Sequence, residues 1–454
     1  MRMLWCCFMV AVVTGWSQGA FAGALLIQNA HVLSFDPQVG DRRGADVLVR
    51  DGRIVEVGRG IEAVGAERID AHGMILLPGL VDTHTHLWLS AARGQFRNTA
   101  RTDYFVLKKH LGRHYLPQDI EVSTYFGALE TLASGVTTTV DFFHNLRSPA
   151  HLDAAERALR RSGIRARLLY GAHDDLPGHE SVDLEHLAAV SGRMRQGMVT
   201  LGFGWRGVGE GAPALLENGR REVAAARALG LPVSVHSGGK RNAALVASGL
   251  LSEDVQIVHA TGATPGELAA FRAAGSALSL TPVTEQRVGY GLTVLSDYQD
   301  VGRLGLGIDG TALAGGADLF ANMRLLALTE SGARKAETAV APRRILELAT
   351  IEAARSIGMD DQVGSITPGK RADLILVDPG ALNMALSSQD DPYALVVYSA
   401  TPANVDTVIV DGVVRKRGGR LLGVDVPQVM KDARASIEAI LERAGPLPAP
   451  APGK

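Results

Sequence analysis

Residues 135–174 read GVTTTVDFFHNLRSPAHLDAAERALRRSGIRARLLYGAHD. The opening GVTTTVDFF is β-branched and apolar, with no helical period. LDAAERALRRSG (152–163) is built of helix formers and stops on glycine. IRARLLYGAHD (164–174) is apolar and short again. A strand, a helix and a second strand in so short a span form a βα unit that feeds a parallel neighbour.

The unit recurs downstream. EVAAARALG (222–230) leads into LPVSVHS (231–237). DVQIVHA (254–260) leads through PGELAAFRAAG (265–275) into SALSLTP (276–282), and LGLGIDG (304–310) follows. Serial βα units predict an α/β protein whose parallel sheet is covered by helices. The length from 78 to 360 suits one TIM-like (β/α)8 barrel better than a doubly wound sheet. No G-x-G-x-x-G opens a helix after a strand, and there is no P-loop.

Outside this middle the pattern changes. ALLIQNAHVLSF (24–35) and ADVLVRDGRIVEVG (45–58) read as strands, the latter a hairpin turning at Asp51-Gly52. ADLILVD (372–378) and VDTVIVDGVVRKRG (405–418) repeat the pattern near the other end, turning at Asp411-Gly412. The two β segments are expected to pair into one composite β-sandwich. The expected division is a signal peptide over 1–22, sandwich parts over 23–77 and 361–425, the barrel over 78–360, and a C-terminal helix with a disordered Pro/Ala tail over 426–454.

Bulk properties narrow the partner. Hydrophobic residues are 46% and charged residues 21% of the chain, with a formal net charge of -2. This balance is that of a soluble globular protein with no basic field for nucleic acid, so a small molecule is the expected partner. A homo-oligomer is left open. Arg2, the apolar run Cys6–Trp16 and the small residues of Ala20-Phe21-Ala22 make a signal peptide cleaved before Gly23. A periplasmic or secreted protein without a stable membrane anchor is therefore expected. The only cysteines, Cys6 and Cys7, lie inside that segment, which removes thiolate nucleophiles and thiolate metal ligands.

The chemistry-bearing residues sit where strands end. LLPGLVDTHTH (76–86) places His84 and His86 two apart, on one face of a strand. His236 ends LPVSVHS, His259 ends QIVHA, and Asp309 ends GLGIDG. In a barrel the C-terminal strand ends converge on one mouth, so all five residues can meet there. Imidazole nitrogens with a carboxylate suit one divalent first-row ion, Zn2+ first, with Fe2+ and Mn2+ compatible. His144, His173, Arg206, Glu210 and Glu285 also follow strands and are candidate substrate-binding residues. His110, His114, His151, His179 and His186 fall in helical or loop stretches and are expected to be solvated.

These segments resemble the amidohydrolase superfamily, in particular its cytosine deaminase and triazine chlorohydrolase branch. The resemblance covers nearly the whole chain after the leader. It is carried by PGLVDTHTH, ALETLASGVTTTVDF (128–142), GIDGTALAGGADLFANMR (307–324), LELATIEAARSIGM (346–359) and GSITPGKRADLILVD (364–378). It implies a (β/α)8 barrel with a composite sandwich. His84, His86, His236 and Asp309 would be ligands of one metal, and His259 would contact the substrate or the attacking water. The implied reaction is hydrolytic: the ion lowers the pKa of a bound water toward 7, Asp309 takes its proton, and His259, donating a hydrogen bond, polarises the substrate carbon or stabilises charge on its oxygen or nitrogen.

The chain departs from the branch at two places. No lysine occurs between Lys109 and Lys240, which argues against a lysine-bridged pair of ions. The glutamate that deaminases of this branch carry three residues after the strand-five histidine is replaced by Gly239, and GFGWRGVGEG (202–211) offers Trp205, Arg206 and Glu210 where a histidine is usual. Glu210 and Glu285 are the candidate substitutes for the missing acid. Three readings follow: a mononuclear amidohydrolase cleaving the C–N bond of an amide, cyclic amide or amino-heterocycle; an aromatic-ring deaminase or chlorohydrolase with a relocated proton donor; and a non-catalytic binding or sensor protein.

Overall fold

The computed structural model describes residues 23–97, 99, 102–209, 212–385 and 390–447. The expected signal peptide, Glu210 and the end of the Pro/Ala tail lie outside the described residues. Among the described residues, no helix is long and apolar enough to cross a membrane.

The N-terminal β segment supplies β1 (Leu25–Val32), β2 (Arg42–Arg50), β3 (Arg53–Gly58), β4 (Glu67–Asp70) and β5 (Ile75–Pro78). The C-terminal segment supplies β14 (Leu374–Val377), β15 (Val405–Val410), β16 (Val413–Arg417) and β17 (Arg420–Leu421). They form one sheet, in the order β17-β16-β15-β14-β5-β1-β2-β3 with β4 beside β1. The seam is antiparallel, with Ile75 opposite Val377 and Leu77 opposite Ile375. Both Asp-Gly turns have positive φ at both residues, 50° and 74° at Asp51-Gly52 and 52° and 77° at Asp411-Gly412, which is why glycine follows aspartate there. The turns abut: a Cβ on Gly52 would stand 2.7 Å from the carbonyl oxygen of Asp411.

Between these halves run eight parallel strands in sequence order: β6 (Leu80–Thr85), β7 (Val136–Leu146), β8 (Arg165–Ala172), β9 (Val199–Trp205), β10 (Val233–Gly238), β11 (Val255–Thr261), β12 (Ala277–Leu280) and β13 (Leu304–Leu306). They are buried almost throughout, as the unbroken apolar runs require. The ends meet just beyond β13: Asp309 donates its amide to the carbonyl of His84 at 2.8 Å, and Thr85 bridges to Asp309. The barrel expected from the βα repeats is thus observed, nearly closed, with helices packed outside it.

Arg165 of β8 makes a bidentate pair with Asp373, at 2.8 and 3.0 Å, with both side chains buried. That pair ties the lower rim of the barrel to the sheet next to it. The helix Val426–Ala444 follows the sheet, and Ser436 bonds Asp119 at 2.8 Å to hold it against the barrel.

Candidate metal centre and cavity

His84 and His86 come from the end of β6, His236 from β10 and His259 from β11, and Asp309 follows β13. The barrel therefore brings all five to one mouth. His84 Nε2 stands 3.2 Å from His86 Nε2 and 3.1 Å from His236 Nε2. Asp309 Oδ1 stands 3.2 Å from His86 Nε2 and 3.6 Å from His84 Nε2. Backbone irregularities aim these groups. The β10–β11 register slips after His259, and His259, Ala260 and Asp309 all have positive φ, at 71°, 51° and 64°. Non-glycine residues in this region cluster where surrounding structure over-determines them, as at functional sites.

The residues fit a divalent cation. His86 Nδ1 donates to the carbonyl of Phe142 at 2.8 Å, which turns its Nε2 toward His84 and Asp309. Burial drives the His84 imidazole down to about 3, and burial together with the neighbouring imidazoles drives His236 well below its usual range. The ring nitrogens of His84, His86 and His236 all fall within 4.8 Å of one another, close enough to share one cation. Asp309 supplies the anion. Burial opposes its ionisation, but the hydrogen bonds from His84 and His86 outweigh that and hold it well below the carboxylate range. Three nitrogens and a carboxylate are the donor set of a catalytic Zn2+-type site.

Two buried carboxylates not singled out in the sequence frame the cluster. Asp82 accepts the amides of Ile308 at 2.9 Å and His84 at 3.3 Å and the hydroxyl of Thr139 at 2.8 Å. Asp141 accepts the amide of Leu87 at 3.0 Å. Burial pushes Asp82 up to about 7 and Asp141 up to about 6. The signal for Asp82 was its place in DTHTH, two residues before the first ligand.

A cavity of about 950 Å³ opens above the cluster. One wall is the helix Tyr104–Gly112, which presents Tyr104, Phe105 and Lys108. Lys108 Nζ donates to His144 Nε2 at 3.2 Å and pairs with Asp174 at 3.0 Å. His144 donates Nδ1 to the Phe142 carbonyl at 3.1 Å, and its ring lies 4.2 Å from that of His86. Burial, then the charge of Lys108, holds His144 well below its usual range, so Nε2 is an acceptor. His173 lines the same space and accepts the amide of Asp175 at 3.2 Å.

A model of the amidohydrolase family matches residues 75–415. The chain belongs to the amidohydrolase family. A relative, the 5-methylthioadenosine/S-adenosylhomocysteine deaminase of Desulforudis audaxviator, is 30% identical over 448 residues, covering 92% of this chain and 99% of its own. The 5'-deoxyadenosine deaminase of Methanosarcina acetivorans is 26% identical over 453 residues, with coverage of 92% and 99%. Among solved structures, zinc-bound atrazine chlorohydrolase TrzN from Arthrobacter aurescens TC1 superposes with a TM-score of 0.81 at 25% identity, covering 91% of this chain and 100% of that one. This amidohydrolase-family protein is accordingly a metal-dependent hydrolase.

At the amidohydrolase site, Arg206 lines the cavity with its guanidinium already engaged. Its guanidinium donates to the carbonyls of Leu176 at 3.2 Å, Pro177 at 3.1 Å and Glu180 at 2.5 Å, and to buried Glu222 at 3.1 Å. It therefore pins the loop after β8. Glu285, a candidate substitute for the missing acid, lines the cavity. It is 1% exposed and accepts from His259 Nδ1 at 3.2 Å and from the Thr281 amide at 2.8 Å, and Thr293 Oγ1 donates to its other oxygen. His151 is buried rather than solvated, spanning Ser148 Oγ at 2.8 Å and the Tyr115 carbonyl at 3.1 Å. His110, His114 and His186 are half-buried, and only His179 of that group is fully solvated. The candidate Glu210 lies outside the described residues.

His259 is set apart from the three clustered imidazoles, its ring centre 5.8 Å from that of His84 and 5.6 Å from that of His236. Burial disfavours its charged form. The hydrogen bond to Glu285 and the charges of Asp309 and Glu285 outweigh burial and raise its pKa. Lys108 and Tyr104 were not legible as site residues, because the long β6–β7 connection carries no strand-end signal.

Proposed function

We propose that this protein is an aminohydrolase that replaces the exocyclic amine of a nitrogen heterocycle by a water oxygen and releases ammonia. The observation that carries this reading is the placement of Asp309 and His259 on one cavity floor, beside the three-histidine cluster. Deaminase relatives that match the chain almost end to end support the same class.

We assign the ion to His84, His86, His236 and Asp309, and take its number to be one. A divalent ion held there supplies an acidified water and polarises the carbon under attack. Asp309, a carboxylate in the resting site, accepts a proton of the attacking water. His259, held from behind by Glu285, presents Nε2 toward the departing nitrogen. Tyr104, Phe142 and Trp205 give the cavity aromatic surface against which a flat ring can pack. The sum is R–NH2 + H2O → R–OH + NH3, with no external oxidant or reductant.

Gly239 favours a second reading, hydrolysis of an amide or cyclic amide. It stands where a ring deaminase of the branch carries its glutamate, with φ at 55° and no atom within 4 Å of the point where a Cβ would lie. An amide needs no proton on a ring nitrogen. The two readings separate in one assay. Zinc-loaded protein is offered 6-aminopurine nucleosides and amino-triazines in one series, and lactams and N-acyl amino acids in the other, with ammonia and product amine scored separately. Ammonia from the first series with the second inert supports the aminohydrolase; the reverse overturns it.

A further inference from the structure

The vacant position at Gly239 raises the question of which group assists the departing nitrogen. The only buried carboxylate bonded to His259 among the described residues is Glu285, which enters from the helix Pro282–Arg287 after β12. Its oxygens are fully engaged. Oε1 accepts from the Thr281 amide at 2.8 Å, from Thr281 Oγ1 at 3.3 Å and from His259 Nδ1 at 3.2 Å, while Oε2 accepts from Thr293 Oγ1. His259 Nδ1 also lies 3.0 Å from Thr281 Oγ1, and Thr284 Oγ1 donates to that hydroxyl at 2.8 Å.

This arrangement does two things. A carboxylate accepts and never donates, so the proton of the pair sits on His259 Nδ1. That fixes the tautomer and leaves Nε2 as the ring atom facing the cavity. Two threonine hydroxyls and one amide fix the carboxylate in turn, so the ring cannot swing. Burying a carboxylate costs several kcal/mol unless hydrogen bonds offset it, and a neutral residue would fill the space without that cost. The charge is retained beside one group, His259.

We propose that Glu285 is a positioning residue of the hydrolytic reaction, acting through His259. The proposal rests on the hydrolase reading of the site. It predicts that His259 and Glu285 act as one unit and that neither contributes to holding the ion.

The test uses the zinc-loaded full chain and two readouts. The first is kinetic, on whichever substrate of the two series above is turned over. Glu285→Gln should lower kcat about a hundredfold, the span of one positioned acid–base group, with KM changed little and zinc content unchanged. The double variant His259→Asn/Glu285→Gln should be no slower than His259→Asn alone, and the kcat–pH profile should lose a limb in Glu285→Gln. Glu285→Asp, with a shorter reach, should recover part of the rate. The second readout is independent of substrate: nitrogen NMR of 15N-histidine-labelled protein, with His259 assigned by its loss in His259→Asn. The His259 ring should carry its proton on Nδ1 in the native chain and lose that fixed tautomer in Glu285→Gln. Should Glu285→Gln fail to fold, Thr293→Val removes only the Oε2 partner and should shift the same NMR signals. A kcat within twofold of native, multiplicative losses in the double variant, or an unchanged His259 tautomer each overturns the proposal. Absence of turnover on every substrate counts against the function reading, and the NMR result then still decides the positioning role.

Discussion

Asp82 Oδ1 accepts the amide of Ile308 at 2.9 Å, joining the first barrel strand to the segment after the last one. The bond lies two residues before His84 and one before Asp309, so barrel closure and ligand placement depend on the same carboxylate. Asp82→Ala would leave the amides of Ile308 and His84 and the hydroxyl of Thr139 without their acceptor. Each unsatisfied buried donor costs about 1–3 kcal/mol. Urea unfolding of the metal-free protein should show a loss of at least about 3 kcal/mol, with weaker zinc binding. An unchanged midpoint would mean that closure rests elsewhere.

Arg206 and Glu222 form a buried pair that also satisfies the loop carbonyls of residues 176, 177 and 180. Removing one member of such a pair costs about 3–5 kcal/mol. Arg206→Ala should therefore reduce stability by that order, while Arg206→Lys, lacking the planar fork, should restore only part of it. Substrate affinity falling with no change in unfolding midpoint would instead make Arg206 a substrate ligand.

Acid sensitivity has a local source beside the cavity wall. Burial would raise Asp175, but hydrogen bonds and charge from Arg113 and Arg147 outweigh it and hold the carboxyl at about 2, below its usual 3.8. A carboxyl depressed on folding contributes stability above its unfolded pKa and loses it as pH falls toward the folded value. Asp175→Asn should lower the thermal midpoint of the metal-free protein at pH 6. The gap from the native chain should narrow between about pH 4 and pH 2. A gap constant across that window would remove Asp175 from the account.

Asp309 serves two roles in the proposed reaction, ligand and proton acceptor. Asp309→Asn keeps an oxygen that can touch the ion and loses the basic charge. Turnover should drop at least about a thousandfold, with zinc affinity reduced to a smaller extent. Equal losses in occupancy and rate would leave Asp309 a ligand alone.

Much of this was readable from the chain because local signals were strong. The Asp-Gly turns need positive φ and have it, and the βα periods gave the barrel because buried parallel strands are continuous apolar runs. His84, His86, His236, His259 and Asp309 were found because strand ends converge. The rest depends on contacts between distant segments. Glu285 was a candidate from its place after a strand, but its partner His259 could not be read, because the two meet from different strands' ends. Arg206 looked like a substrate grip because nothing local shows that it reaches back to the loop after β8. Lys108 reaches His144 from a helix within a long connection, where no period marks a site.

The central claim is that one divalent ion is held by His84, His86, His236 and Asp309. The most direct measurement is metal content by mass spectrometry after zinc loading and desalting, for the native chain beside His84→Ala, His236→Ala and His259→Asn. The account predicts one ion per chain in the native protein and in His259→Asn, and none in the other two. Full occupancy in His84→Ala or His236→Ala, or two ions in the native chain, would contradict it.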